Sequence, residues 1–310
     1  MKFLIAIVGP TAIGKTALSI QLAQHFGCEI VSCDSRQFFR EMSIGTAVPD
    51  HEELASVRHH FIHNKSVFDE YTVGDYEREA IEKLDRLFES NDCAILVGGS
   101  GLYVDAILKG FDYFPEIDLA VREKVLKDYE LHGIVLLQDR LQEYDPEYYQ
   151  KIAKENPQTL LNPQRMMRFV EVCMGTGKPY SSFLNLKKNT RRFTPIVIAL
   201  EADRETMYDR INRRVMLMID SGLIEEAKAL YESRKRNALQ TVGYRELFAH
   251  FEGEMTLEAA IAEIKKNTRR FAKRQLTWFK RNDAVAWFDY QTASKEIIDY
   301  ILEIINKHRI

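Results

Sequence analysis

Cysteine is scarce. The four residues Cys28, Cys33, Cys93 and Cys173 form no C-x-x-C pair, and no metal-ligand spacing joins them to the eight histidines. A disulfide scaffold is thereby excluded, and reduced thiols in a cytoplasmic chain are expected. No segment approaches the roughly 20 apolar residues that cross a bilayer, so no membrane partner is expected. The N-terminal run FLIAIV (Phe3–Val8) is short and meets Gly9-Pro10 without a small-residue cleavage site, which argues against a signal peptide. Internal repeats, low-complexity segments and Gly/Ser linkers are also lacking.

What is present is an ordinary globular composition, 45% hydrophobic and 29% charged over 310 residues. That length allows one large or two modest domains and a sizeable core. The net charge is −3, yet residues 265–310 carry 11 Lys+Arg against 5 Asp+Glu. A basic end on an acidic body suits a polyanionic partner, and it suits a solvated helix face as well.

Apolar runs at Phe3–Val8, 29–33, Cys93–Val97 and 195–200 read as buried parallel strands. Weaker candidates are 59–63 and 285–288. Helical patterns at Lys15–Phe26, 74–90 and 100–109 alternate with them, which predicts an α/β core with a doubly wound parallel sheet. The long gap before residue 195 breaks this rhythm. Amphipathic stretches at 119–132 and 163–174 make it an all-helical insertion. The expected organisation is a core over 1–111, the insertion over 112–190, and the rest of the core with basic helices over 191–310.

Gly9-Pro10-Thr11-Ala12-Ile13-Gly14-Lys15-Thr16 matches G-x-x-x-x-G-K-[ST], between a strand pattern and a helix pattern as the motif requires. Its glycines let backbone N–H groups point inward, and the helix N-terminus adds partial positive charge. Lys15 supplies a full charge, and the Thr16 hydroxyl can ligate Mg²⁺. The loop binds a phosphate chain without saying whose. Strand Cys93–Val97 ends in Gly98-Gly99-Ser100-Gly101 rather than in the carboxylate of a motor ATPase. Asp34, at the end of the 29–33 run, is the strand-end carboxylate. It can take a proton from a nucleophile, ligate Mg²⁺ through water, or cap the following turn. The 98–101 turn is either a second anion cradle or a plain helix cap through Ser100.

Taken in order, the motifs resemble the tRNA dimethylallyltransferase (tRNA isopentenyltransferase) family over nearly the whole chain. They run from GPTAIGKT through Asp34-Ser35-Arg36-Gln37, Ile44-Gly45-Thr46-Ala47 and Val97-Gly98-Gly99-Ser100-Gly101-Leu102-Tyr103 to Val121-Arg122 and Asn162-Pro163-Gln164-Arg165. Val242-Gly243-Tyr244-Arg245-Glu246 and Ala272-Lys273-Arg274-Gln275-Leu276-Thr277-Trp278-Phe279 complete the series. The resemblance implies a P-loop-type core with an insertion that clamps the anticodon arm. It implies alkylation of N6 of adenosine 37 of tRNA by dimethylallyl diphosphate, without an obligatory protein partner.

By the match, Asp34 faces N6 as general base, while Ser100 and Arg122 neutralise the leaving diphosphate. The implied RNA contacts are Asp34, Ser35, Arg36 and Gln37; Gln164, Arg165, Met166, Met167 and Arg168; and Gln240, Thr241, Val242, Gly243, Tyr244 and Arg245. Lys273, Arg274, Gln275, Trp278 and Lys280 complete that set. Three positions depart from the family's usual letters: Ser100 stands for Thr, Val48 for Lys and Phe39 for Tyr. Ending at Ile310 without the zinc-finger extension of some eukaryotic members, the chain resembles the bacterial type.

The chemistry agrees. An allylic diphosphate ionises readily, so the protein must chiefly stabilise the departing anion and exclude water. Residues 265–281 hold eight basic residues and no acid, interleaved with Phe271, Trp278 and Phe279. The charges suit RNA phosphates, and the aromatics suit either RNA or the core. Arg165 and Arg168 lie one helical turn apart, on an RNA-facing or merely solvated face. His59, His60 and His63 are assigned no function. A small-molecule kinase shares the loop and the strand-end Asp, but needs neither the insertion nor the basic cluster. A nucleotide-gated RNA-binding module would not need Asp34.

Overall fold

The computed structural model describes residues 1–112, 114–184 and 190–309. It falls into two compact units, one of Met1–Gly110 with Arg191–Ile310 and one of Phe111–Thr190.

The larger unit opens with β1 (Phe3–Val8), α1 (Lys15–Phe26), β2 (Ile30–Ser32), α2 (His51–Ser56), β3 (His59–His60), α3 (Val73–Ser90), β4 (Cys93–Val97) and α4 (Gly101–Leu108). The smaller unit holds α5 (Leu119–Tyr144), α6 (Pro146–Glu155) and α7 (Pro163–Thr176). The chain returns through β5 (Thr194–Glu201), α8 (Arg204–Asp220), α9 (Leu223–Ala229), α10 (Tyr244–Phe251), α11 (Leu257–Phe279), β6 (Val285–Asp289) and α12 (Ser294–Arg309).

Six strands pair in the order β3-β2-β4-β1-β5-β6, every pair parallel. The runs are apolar throughout because both faces are covered. Along β1, Leu4, Ala6 and Val8 join the core under α3 and α4 with Tyr76, Leu84 and Ile107. Phe3, Ile5 and Ile7 join the opposite core with Leu18 and Leu22 of α1 and Ile297 and Ile301 of α12. Burying one such side chain contributes about 1.5–3 kcal/mol. Where the chain leaves β3, Phe61 and His63 stand at φ 63° and 53°, so the strand candidate 59–63 is cut to two residues.

After β5 the chain folds into helices around a third core, with Leu223, Leu239, Tyr244, Leu247 and Ile264. Glu246 caps α10 by accepting from Gly243 N–H at 2.8 Å and is itself fixed by Asn267.

The smaller unit has its own core of Val125, Leu137, Leu141, Met166 and Val170. Helix α5 kinks at Gly133 (φ 70°, ψ −166°), one residue past the end of the 119–132 pattern. The Asn162-Pro163 pair begins α7 as a helix start requires. Asn162 Oδ1 accepts from Arg165 N–H at 3.1 Å, and Pro163 occupies the first turn, where no donor is missed.

Candidate active site

Parallel sheets bind ligands beyond the C-terminal ends of their strands. There the larger unit has two cavities, of about 480 Å³ and 450 Å³. Residues 11–16 wall the first. Gly9, at φ 133°, is required: a Cβ would stand 2.7 Å from the Leu200 carbonyl oxygen. Gly14 takes φ 113° at the N-cap of α1, and Ala12 is also left-handed at φ 64°. Lys15 folds back over the loop and donates to the Pro10 carbonyl at 2.7 Å. Burial lowers its ammonium from 10.5 to about 8; the Asp34 charge opposes the fall and Arg214 adds to it.

Helix α8 supplies Arg210, Arg213 and Arg214 to the same cavity. Sequence reasoning passed over these three, although R-x-x-R-R at helical spacing is the signal that would have found them. Arg210 Nε donates to the Ala12 carbonyl at 2.8 Å, and Arg213 pairs with Asp209. Arg214 lines both cavities; burial lowers its pKa and Asp34 opposes that. Among the described residues its guanidinium has no hydrogen-bonded or ionic partner.

Asp34 also lines both cavities. Its Oδ1 accepts from Arg36 N–H at 3.1 Å, which caps the turn after β2. Among the described residues Oδ2 accepts nothing. One oxygen thus holds the carboxylate and leaves the other without a hydrogen bond, so the capping and proton-accepting readings are compatible.

The 98–101 turn differs from the expected cap. Ser100 sits at the N-cap of α4 but makes no cap bond. Its Oγ accepts instead from Ser35 N–H at 3.1 Å and lies 3.1 Å from Ser35 Oγ, beside Asp34 in the second cavity. The glycines of the turn serve close packing. A Cβ on Gly98 would stand 2.6 Å from Cys33 Sγ, on Gly99 2.2 Å from Gln275 Nε2, and on Gly101 2.3 Å from Trp278 Cδ1.

Gln275 is 6% exposed. Its Oε1 accepts from Thr11 N–H at 2.9 Å and its Nε2 donates to Gly99 O at 2.8 Å, clipping the phosphate loop to the glycine turn. Gln37 is similarly engaged, donating to the carbonyls of Thr46 and Ala47. Gln37 is half-buried and lines the first cavity, whereas Gln275 and the side chains of Met166 and Tyr244 are buried. Trp278 is half-buried, donates to Asp105 Oδ2 at 3.1 Å and lines the second cavity, while Phe279 is core.

Of the other expected contacts, Lys273, Arg274, Lys280, Gln240 and Arg245 are exposed. Ser35, Arg36, Thr241, Val242 and Gly243 line the second cavity with Arg274 and Trp278. Burial lowers the Arg36 guanidinium, which donates to Asn237 O at 3.1 Å. Phe39 is buried, and Val48 lines the first cavity.

In the smaller unit Arg122 is exposed on α5, with Val121 half-buried before it. Gln164, Arg165 and Arg168 line a separate cavity of about 610 Å³, and Met167 packs against that unit's core. Arg165 donates to Thr159 Oγ1, and Arg168 pairs with Glu171 at 2.9 Å.

A phosphate loop on a parallel sheet, with a strand-end carboxylate between two cavities, places the molecule among the P-loop-type α/β proteins. Residues 37–282 match the family model described as IPP transferase. The chain is 70% identical over 303 residues to the tRNA dimethylallyltransferase of Flavobacterium johnsoniae, covering 98% of each. It is 56% identical over 305 residues to that of Christiangramia forsetii, covering 98% of this chain and 99% of the other. The full-length tRNA isopentenylpyrophosphate transferase of Bacillus halodurans superposes with TM-score 0.73 at 36% identity, covering 99% of this chain and 98% of that one. A eukaryotic dimethylallyltransferase captured acting on tRNA gives TM-score 0.82 at 26% identity, covering 99% and 80%. The chain belongs to the IPP transferase family.

Proposed function

We propose that this protein transfers the dimethylallyl group of dimethylallyl diphosphate to N6 of adenosine 37, beside the anticodon of tRNA, and releases diphosphate. The observation that carries this is the position of Asp34 on the wall common to both cavities. The diphosphate occupies the cavity of residues 11–16, and the adenine enters the second, among Leu102, Trp278, Val242 and Phe271.

The allylic C–O bond breaks, its electron pair leaving on the diphosphate. The adenine nitrogen bonds the allylic carbon, and its proton passes to Asp34 Oδ2. Negative charge grows on the diphosphate, where the backbone N–H groups of the loop, Lys15, Arg210 and Arg214 stand ready. Ser100 holds the turn that carries Asp34. Arg122 is exposed on α5 of the smaller unit, and its anion-neutralising part rests on the resemblance alone.

Thr16 and Asp34 put a hydroxyl and a carboxylate in the first cavity, and the Thr16 hydroxyl forms no hydrogen bond among the described residues. This hard-oxygen donor set suits Mg²⁺, which binds few protein ligands and completes its shell with phosphate and water. When bound, Mg²⁺ supplies charge neutralisation to the diphosphate. Exposed Arg270, Lys273 and Arg274 on α11, with Arg245 and Gln240, are the proposed RNA-facing groups, together with Arg165 and Arg168 of the smaller unit. No helix among the described residues is long and apolar enough to cross a membrane. The cytoplasm is the compartment that fits a tRNA-modifying enzyme.

The test is nucleoside mass spectrometry of unmodified tRNA incubated with protein, Mg²⁺ and dimethylallyl diphosphate, with ATP in a parallel tube. A dimethylallyl increment on adenosine in the first tube alone is expected. No increment, with ATP consumed when small acceptors are supplied, would replace this reading by a kinase.

A further inference from the structure

We infer that Glu226 is a positioning residue that ties two walls of the adenine cavity together by holding the 43–45 backbone and the Tyr244 hydroxyl on one carboxylate. The inference rests on the transfer reading above. Glu226, on α9, accepts from Ser43 N–H and Ile44 N–H at Oε2, both at 2.9 Å, and from Gly45 N–H at Oε1, at 2.9 Å. The Tyr244 hydroxyl adds a fourth bond at 2.6 Å. Four donors fill the acceptor capacity of a carboxylate. Among the described residues Glu226 forms no ion pair, so its partners are neutral groups whose positions it fixes.

The two walls meet at Gly45. A Cβ there would lie 2.6 Å from the Tyr244 ring, so backbone and ring touch directly. One wall continues through Thr46 and Ala47, which line both cavities. Their carbonyls accept from Gln37 Nε2 at 3.2 and 2.9 Å. Gln37 Oε1 accepts from Ser32 Oγ at 3.3 Å, and that oxygen accepts from Asp34 N–H at 3.4 Å. Ala47 stands at φ 50° within this net, a conformation it keeps because its neighbours are pinned. The other wall is 241–243, which leads directly into Tyr244 and lines the second cavity. Burial and the Glu226 charge hold the Tyr244 phenol well above its ordinary range, which keeps it a donor. The Ile44-Gly45-Thr46-Ala47 and Val242-Gly243-Tyr244 motifs, far apart in sequence, are thus two halves of one device that sets the distance from the adenine walls to Asp34.

The test compares Tyr244→Phe, Glu226→Gln and the double variant in steady-state transfer to an anticodon stem-loop RNA, with thermal midpoints measured alongside. Tyr244→Phe keeps the ring and loses one bond. It is expected to lower kcat ~10-fold while the KM for dimethylallyl diphosphate stays within about twofold. Glu226→Gln opposes an amide N–H₂ to backbone donors and frees the 46–47 wall of both cavities. It is expected to lower kcat ~100-fold and to raise the diphosphate KM as well. The double variant should lose no more than Glu226→Gln alone, because both act through one tie.

Wild-type kcat and KM in Tyr244→Phe, whatever its thermal midpoint, would overturn the inference even if Glu226→Gln fails to fold. Multiplicative losses in the double variant would overturn it too. Absence of transfer by the wild-type protein overturns the functional reading itself, and is distinguished by needing no variant.

Discussion

In the proposed reaction Asp34 joins the two halves, with one carboxylate oxygen hydrogen-bonded and the other without a partner among the described residues. Oδ1 accepts from Arg36 N–H, which orients the carboxylate at the wall of both cavities. Asp34→Asn keeps the shape and removes the base. Turnover should fall ~10²–10⁴-fold in a single-turnover assay while RNA affinity by filter binding changes little. Comparable losses in both would make Asp34 a binding group.

Lys15 carries a second prediction, on pH. Its folded pKa of about 8 lies below its unfolded value, so the free protein starts to lose this charge just above neutrality. A bound diphosphate favours the charged form, so binding takes up a proton wherever Lys15 has lost one. Affinity for dimethylallyl diphosphate is therefore near its plateau at pH 7. It falls as pH rises through 8, approaching about tenfold per unit. Calorimetry in two buffers of different ionisation enthalpy checks the proton uptake, and an affinity flat to pH 9.5 would show that the charge is not needed. At this scale the phosphate loop and Asp34 were legible because their spacing is tied to backbone geometry. Arg210 and Arg214 were not, because arginines on a helix look the same whether they face water or a cavity. Nor does a sequence show that the amides of Gln37 and Gln275 bond to the backbone of neighbouring loops.

Among the elements, the glycine turn after β4 was recognised, but for another reason than the structure gives. None of Gly98, Gly99 and Gly101 has positive φ; what each supplies is the absence of a Cβ against β2 or α11. Gly98→Ala would press a methyl 2.8 Å from the Cys33 carbonyl carbon, at the strand end that presents Asp34. Backbone there has little room to yield, so the variant should lose about 1–3 kcal/mol of stability in urea titration and more turnover than RNA affinity. Gly27→Ala is the contrast: φ is 59° but nothing lies within 4 Å of the added carbon. It should cost stability through backbone strain, roughly 1–2 kcal/mol, and leave the kinetics intact. Equal kinetic losses in the two would remove the packing argument. The strands of β1, β4 and β5 were plain because both faces are buried. β3 was overread because its chain leaves the sheet at left-handed Phe61, and nothing in HHFIH announces that turn.

For the molecule as a whole, a net charge of −3 is joined to a helix, α11, whose exposed charges in its C-terminal half are basic, and salt should act on that contrast. Not every charge of α11 is available to RNA. Lys266 pairs with Glu263, Arg269 donates to Asn212 Oδ1 at 2.7 Å, and Lys280, just past the end of the helix, lies 3.2 Å from Glu201. Arg270, Lys273 and Arg274 remain exposed, with Arg274 5.7 Å from the centre of the Phe271 ring and lining the second cavity. Each phosphate contact releases counterions, so log affinity falls linearly with log salt. Arg274→Ala should reduce that slope by about 1, with the gap from wild type widest at low salt and narrowing as salt rises. Arg86→Ala, on α3 and paired with Glu82, should leave the slope unchanged. Fluorescence anisotropy of a labelled anticodon stem-loop from 50 to about 300 mM salt reads both. Parallel lines for Arg274→Ala and wild type, offset or not, would mean that Arg274 touches no phosphate. The RNA-facing side of α11 would then have to be sought at the adjacent Lys273 and at Arg270, one turn nearer its N-terminus.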